Sequence, residues 1–191
     1  MSAGIVILAS GEGTLAQAVF DAVSSHELDV KILEVITDRP QAPVLDRARK
    51  SGLQTYIHPM MKERQEWDTH LLRHINLLNP DLVVSLGFMR ILSPAFVSRF
   101  KIINSHPALL PAFPGAHAVR DALAAGVRVS GASVHWVDAG VDSGEVIAQQ
   151  AVEVLPGESE DSLHTRIKIV EQGLIVATIK TLLPNLESHR V

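Results

Sequence analysis

The sequence predicts an α/β protein built on a doubly wound, mostly parallel twisted sheet, with an antiparallel extension in its C-terminal half. Two observations carry the first part. Short, continuous apolar runs rich in Ile and Val alternate with helical patterns through the first hundred residues, as expected for strands covered on both faces. A turn containing two glycines, Ser10-Gly11-Glu12-Gly13-Thr14, joins the first such run to the first helix. The antiparallel extension rests on a third observation. Two strand-like runs, 131–138 and 145–154, are separated only by a loop containing Gly140 and Gly144.

In chain order, strands are expected at 4–9, 30–37, 55–58, 82–86 and 101–104, and helices at 14–23, 42–50 and 63–78. A last helix begins after Ser159, a capping residue followed by Glu160 and Asp161, which suit the positive end of a helix dipole. Leu163, Ile167, Val170 and Leu174 recur at i, i+4, i+7 and i+11, so this helix lays one apolar face on the sheet. There is no internal repeat, low-complexity tract or linker, and 1–191 reads as one domain.

Bulk properties narrow the function. A net charge of -4 gives no reason to expect a nucleic-acid partner. The absence of cysteine excludes disulfides, thiolate catalysis and zinc–sulfur sites. No apolar stretch approaches the roughly 20 residues needed to cross a bilayer, and residues 1–9 lack the basic start of a secretory signal. The expectation is a soluble cytoplasmic protein that acts on small molecules, without a membrane partner.

The glycine turn admits several readings. Free N–H groups at a helix start attract phosphate, and glycine lets the backbone approach a ligand. Gly11-x-Gly13-x-x-Ala16, with Asp38 near the end of the second strand, also fits the loose dinucleotide fingerprint. A plain strand-to-helix turn fits as well.

Asn104 and His106 lie two residues apart, so in extended backbone they point to one side, at the end of a strand where open sheets bind ligands. An amide can hold an oxygen that becomes negative, and an imidazole can move a proton near neutrality. Asp142 is a candidate to orient the histidine, and Pro107, Pro111 and Pro114 stiffen the segment behind it. The same two residues could instead cap local backbone. Ser133 and His135 read as a buried hydrogen-bonded pair. His70 and His74 have the i, i+4 spacing of metal ligands, but Leu71 follows His70 where a metalloprotease motif needs glutamate. Together with Glu63, Glu66 and Asp68 they read as a solvated helix face, so no metal is expected. His58 and His117 read as surface or loop residues.

The segments "ILASGEGT", "LGFMRILSPAFV", "NSHPALLPAFPG" and "GVDSGEVIAQQAV", in this order, resemble the phosphoribosylglycinamide formyltransferase family of folate-dependent enzymes, over nearly the whole chain. The resemblance implies a Rossmann-like formyltransferase fold. It also implies formyl transfer from the co-substrate 10-formyltetrahydrofolate to the amine of glycinamide ribonucleotide, a step of purine biosynthesis, with no metal. The family's catalytic residues fall on Asn104, His106 and Asp142. Its glycinamide ribonucleotide contacts fall on Gly11, Gly13, Thr14, Leu15, Met89, Pro107, Lys168 and Glu171. Its folate contacts fall on Arg64, Met89, Arg90, Ile91, Leu92, Val97, Asn104, Asp138, Ala139, Gly140, Val141 and Asp142. A monomer or homodimer is implied. Two departures stand out. Leu15 replaces an asparagine in the phosphate loop, beside the added charge of Glu12. Ser105 replaces an apolar residue, a change expected to matter only to packing.

Within the implied reaction, Asn104 and a protonated His106 donate to the tetrahedral oxyanion, while Asp142 favours the imidazolium and helps relay a proton through water. Four other readings are weighed against it. Formyltetrahydrofolate hydrolase shares the Asn, His and Asp arrangement but carries an additional N-terminal regulatory domain. Methionyl-tRNA formyltransferase adds a C-terminal tRNA-binding domain. A nicotinamide-dependent oxidoreductase explains the glycine turn and Asp38, but not Asn104, His106 and Asp142. A non-catalytic nucleotide-binding module is the last alternative.

Overall fold

The computed structural model describes residues 2–187; residues 1 and 188–191, which the expected domain includes, lie outside the described residues. The element order is β1 (Ala3–Leu8), α1 (Thr14–Ser24), β2 (Val30–Thr37), α2 (Val44–Lys50), β3 (Thr55–Ile57), α3 (Arg64–Leu78), β4 (Leu82–Ser85), α4 (Pro94–Arg99), β5 (Ile102–His106), α5 (Ala118–Ala124), β6 (Val129–Trp136), β7 (Val146–Glu153) and α6 (Glu160–Glu187). The strands form one seven-stranded sheet in the order β3-β2-β1-β4-β5-β6-β7. The first five strands pair in parallel, and β6 and β7 add antiparallel ladders. The expected mixed sheet is therefore the observed one.

Alternation along the strands divides the core. Ile5 and Ile7 of β1 pack with α1 and α6, while Val6 and Leu8 pack with α3 and α4. Both faces are covered, which is why these strands read as unbroken apolar runs. A third cluster joins Val119 of α5 to Ala132 and Val152 and to Leu163 and Ile167 of α6. The expected cap of α6 is present, with Ser162 N donating to Ser159 Oγ at 3.2 Å.

Two short helices and one strand end differ from expectation. α4 begins at a Ser93 cap with Pro94 at its first position, and Phe96 N donates to Ser93 Oγ at 3.3 Å. Neither α4 nor α5 is among the expected helices, because each is short and lies in a stretch flanked by proline or glycine that reads as loop. β5 continues past Asn104 to His106, held by its antiparallel partner: Asn104 pairs with His135 and His106 with Ser133.

This topology creates the binding crevice. β1 has β2 on one side and β4 on the other, so the loops leaving the carboxyl ends of β1 and β4 diverge to opposite faces, the usual ligand position in an open α/β sheet.

Candidate active site

Three connections meet at that edge: the glycine turn after β1, residues 86–93 after β4, and the proline-rich loop after β5. Gly13 takes φ +70°, and a Cβ there would lie 2.5 Å from Val44 Cγ2. Glycine is therefore required by both conformation and space. No side chain caps α1, and its first turn carries no acidic residue, so no side chain at the helix start competes for its first amides, an arrangement that suits an anion. The Leu15 side chain packs against the core, so only its backbone faces this task. Glu12 is exposed.

The turn is tied to the segment after β4. Ser10 N donates to the Gly87 carbonyl at 3.1 Å, and Met89 N donates to Ser10 Oγ at 2.9 Å. Ser10 Oγ in turn donates to Asp38 Oδ1 at 2.5 Å, and Arg90 Nε donates to Asp38 Oδ2 at 2.6 Å. Both carboxylate oxygens of Asp38 are thus engaged inside the protein and neither is aimed at a ribose. That removes the main support for a dinucleotide. Arg64 reaches the 86–93 segment: its guanidinium donates to the Ile91 carbonyl and to Asp68 Oδ1 and lies 4.9 Å over the Trp67 ring. Met89 and Ile91 are exposed, whereas the side chains of Leu92 and Val97 pack into the core with α3 and α4.

Asn104, His106 and Asp142 come together. His106 is buried; its Nε2–H donates to the Phe113 carbonyl at 2.8 Å, and its Nδ1 lies 3.3 Å from Asp142 Oδ2. A carbonyl only accepts, so Nε2 must carry a proton. The Nδ1–Asp142 contact then needs one further proton, shared between imidazole and carboxylate. Asp142 also accepts from Gly115 N at 2.8 Å. Burial pushes its carboxyl upward, but the adjacent His135 ring, the Gly115 amide and the His106 imidazole outweigh it and hold the carboxyl below its usual 3.8.

The turn that delivers Asp142 is self-braced. Asp138 Oδ1 accepts from Gly140 N at 3.0 Å and from Ser143 Oγ at 2.8 Å, and Asp142 sits at φ +51°. Ala139, Gly140 and Val141 are exposed along its outer edge. The proline-rich loop is bolted to β6 and β7. Ser133 Oγ donates to the Ala108 carbonyl at 2.6 Å and accepts from Leu110 N at 3.0 Å, while Gln149 Nε2 donates to the Leu110 carbonyl at 2.8 Å. Pro107 is half-buried at the start of this loop.

Several expectations are corrected. Ser133 and His135 do not bond each other: Ser133 braces the proline loop, and His135 joins the site. His135 Nδ1–H donates to the Trp136 carbonyl at 2.8 Å, so its Nε2 offers a lone pair to Asn104 Nδ2 at 3.3 Å. The second Asn104 amide hydrogen faces Asp142 Oδ1 at 3.5 Å. His135 could have been found from the antiparallel register, which sets it directly across from Asn104.

Ser105 is not a packing residue. It points to the opposite sheet face, where its Oγ donates to Glu171 Oε1 at 2.7 Å. Burial raises the Glu171 carboxyl to about 7, against the lowering effects of the Ser105 hydroxyl and the Lys168 charge. Gln172 Nε2 donates to the Thr14 carbonyl at 3.4 Å, which brings the Lys168–Glu171 turn of α6 beside the glycine turn.

His58 is not at the surface. It is buried, its Nε2–H donates to the Trp67 carbonyl at 2.9 Å, and its ring lies against Trp67. His74 is not on a solvated face either, being 2.5 Å from Glu34 Oε2 and stacked on Tyr56 at 3.8 Å. Exposed His70 and His117 agree with expectation. Among the described residues no group of three or more His, Asp or Glu could hold a metal ion. Among them also, no helix is long and apolar enough to cross a membrane.

An open α/β sheet that presents an amide, an imidazole and a carboxylate beside a glycine turn is the frame of a group-transfer enzyme. Residues 3–179 match the formyl transferase family model, and the chain belongs to that family. It is 45% identical over 187 residues to phosphoribosylglycinamide formyltransferase of Mycobacterium tuberculosis, covering 94% of this chain and 85% of that one. It is 40% identical over 174 residues to the Escherichia coli protein of the same name, covering 89% and 82%. The crystal structure of glycinamide ribonucleotide transformylase 1 from Symbiobacterium toebii superposes with a TM-score of 0.94 at 36% identity, covering 96% of this chain and 89% of that one.

Proposed function

We infer that this protein transfers the formyl group of 10-formyltetrahydrofolate to the amine of glycinamide ribonucleotide, giving the N-formyl product and tetrahydrofolate in purine biosynthesis. The family match and the 40–45% identity to enzymes of that name support the reaction. The observation that carries the site assignment is the convergence of Asn104, His106 and Asp142 at the sheet edge, within reach of a glycine turn suited to phosphate.

In this reading the ribonucleotide phosphate lies on the amides of Gly13, Thr14 and Leu15 and the Thr14 hydroxyl. Its ribose end lies toward Lys168 and Glu171, with Gly11, Met89 and Pro107 along its length. The folate lies between Arg64, the 89–92 segment with Val97 behind it, and the 138–142 turn.

The substrate amine attacks the formyl carbon, and the carbonyl π electrons move onto oxygen. Asn104 Nδ2–H, leaving its 3.5 Å contact with Asp142, and His106 Nε2–H, leaving the Phe113 carbonyl, donate to that oxyanion. One proton leaves the attacking nitrogen and, through water and the His106–Asp142 pair, reaches the folate nitrogen. The bond from the formyl carbon to that nitrogen then breaks. The amine is itself the nucleophile, so no covalent enzyme intermediate is needed. A cytoplasmic location and a monomer or homodimer complete the reading.

The test is the rate of tetrahydrofolate release with and without glycinamide ribonucleotide. Release that depends on the amine, one formylated product per folate, is expected. Equal release without it would make the protein a hydrolase.

A further inference from the structure

Asp38 has no place in the site described above. It sits at the carboxyl end of β2, is 3% exposed, and has both oxygens bonded at short distance. Acceptors this close to a hydroxyl and a guanidinium are typical of an ionised carboxylate in charge-assisted hydrogen bonds. What it joins is informative. One oxygen holds Ser10, the first residue of the glycine turn, and the other holds Arg90, in the middle of the segment after β4. Ser10 Oγ also accepts from Met89 N. The turn and the segment leave the paired strands β1 and β4, and the bond from Ser10 N to the Gly87 carbonyl is the last backbone link between them that extends the ladder. Ser10 and Asp38 convert that link into a fixed joint.

We propose that Asp38 is a positioning residue that holds the phosphate-binding turn and the folate-binding 89–92 segment at one separation, and so sets the distance between the two reacting groups. This rests on the functional reading above, which places one substrate on each side of the joint. Arg90 acts here through its side chain, turned inward to Asp38, while the backbone around it faces the crevice. Misplacing two reacting groups by about 1 Å costs on the order of a hundredfold in rate. A joint of this kind is therefore felt in turnover more than in the binding of either substrate alone.

The experiment compares two acceptors, glycinamide ribonucleotide and its phosphate-free nucleoside, with saturating 10-formyltetrahydrofolate. The nucleoside is not anchored in the glycine turn, so its position does not depend on the joint. Asp38→Asn keeps the shape of the side chain and removes its charge. With the ribonucleotide, kcat should fall by about tenfold or more. With the nucleoside, variant and wild type should agree within about twofold. Ser10→Ala removes the other half of the joint while leaving the carboxylate and its Arg90 contact in place. It should show the same split, so the test survives if Asp38→Asn folds poorly. An unchanged kcat with the ribonucleotide, or an equal loss with both acceptors, overturns the proposal. A wild-type protein that formylates neither acceptor overturns the functional reading instead.

Discussion

Asn104 Nδ2 and His135 Nε2 lie 3.3 Å apart on adjacent antiparallel strands, directly across the β5–β6 ladder. With His135 Nδ1–H donated to a backbone carbonyl, the neutral ring turns an Nε2 lone pair toward Asn104, which suits Nδ2 rather than Oδ1 on that side of the amide. The amide is therefore presented as a donor before any substrate arrives. One donor to a developing oxyanion contributes about 3–4 kcal/mol.

Asn104→Ala should accordingly lower kcat about a hundredfold or more, with both KM values changed far less. His135→Ala leaves the amide in place but frees it to rotate, so it should cost less. The double variant should cost little more than Asn104→Ala alone. Steady-state kinetics on the four proteins check this, and additive losses would mean that the two residues act separately.

Asp142→Asn removes the acceptor for the proton shared with His106. General acid–base catalysis contributes about 10²–10⁴-fold, so turnover at neutral pH should fall by at least about a hundredfold. The effect on stability has a definite sign. The Asp142 carboxyl is held below 3.8 in the folded protein. Its ionised form therefore stabilises the fold above that pH, and the contribution is lost as pH falls through the lowered value. Urea unfolding from pH 6 to pH 2.5 should show a steeper acid-side loss in wild type than in Asp142→Asn.

Glu171 has the opposite sign. Its carboxyl rises from 4.5 to about 7 on folding, so the folded state holds a proton that the unfolded state has released. Stability contributed by the neutral form is complete below 4.5 and declines as pH rises to about 7. At about 1.4 kcal/mol per unit, the decline is about 3 kcal/mol. Glu171→Gln should lack it. Ser105→Ala, which removes a donor to the ionised form, should extend the decline to higher pH. Chemical denaturation between pH 4 and 9 distinguishes the three proteins.

Gly13→Ala should destabilise the fold by about 2–4 kcal/mol, since a left-handed conformation and an overpacked contact with Val44 add. Val44→Ala in the same chain should recover only a small share of this, because Val44 Cβ and Cα, which alanine keeps, would still lie 2.6 Å and 2.9 Å from the new methyl group. Thermal unfolding of the single and double variants reads both.

The fold was legible because burial on both faces writes itself as unbroken apolar runs, and β1 to β4 follow those runs to within a residue or two at each end. α4 escaped, although Ser93-Pro94 is a cap followed by a residue suited to the first helical position. At the site, local order revealed Asn104 and His106 as a pair and offered Asp142 as one candidate partner, which the resemblance then singled out. His135, Ser105 and Asp38 were misread because their partners lie 31, 66 and 28 residues away. Their roles follow from strand register and helix docking, which single-sequence spacing does not encode. β5 also ran longer than its apolar part because polar side chains on a strand end are tolerated where one face is given to chemistry.

The most direct test of the central claim is single-turnover formyl transfer by purified His106→Ala, with both substrates saturating and wild type run beside it. A fall of about a hundredfold or more, with the folate still bound, is the expected result. Transfer at close to the wild-type rate would contradict the account, because it would leave the imidazole between Asn104 and Asp142 without a part in the reaction.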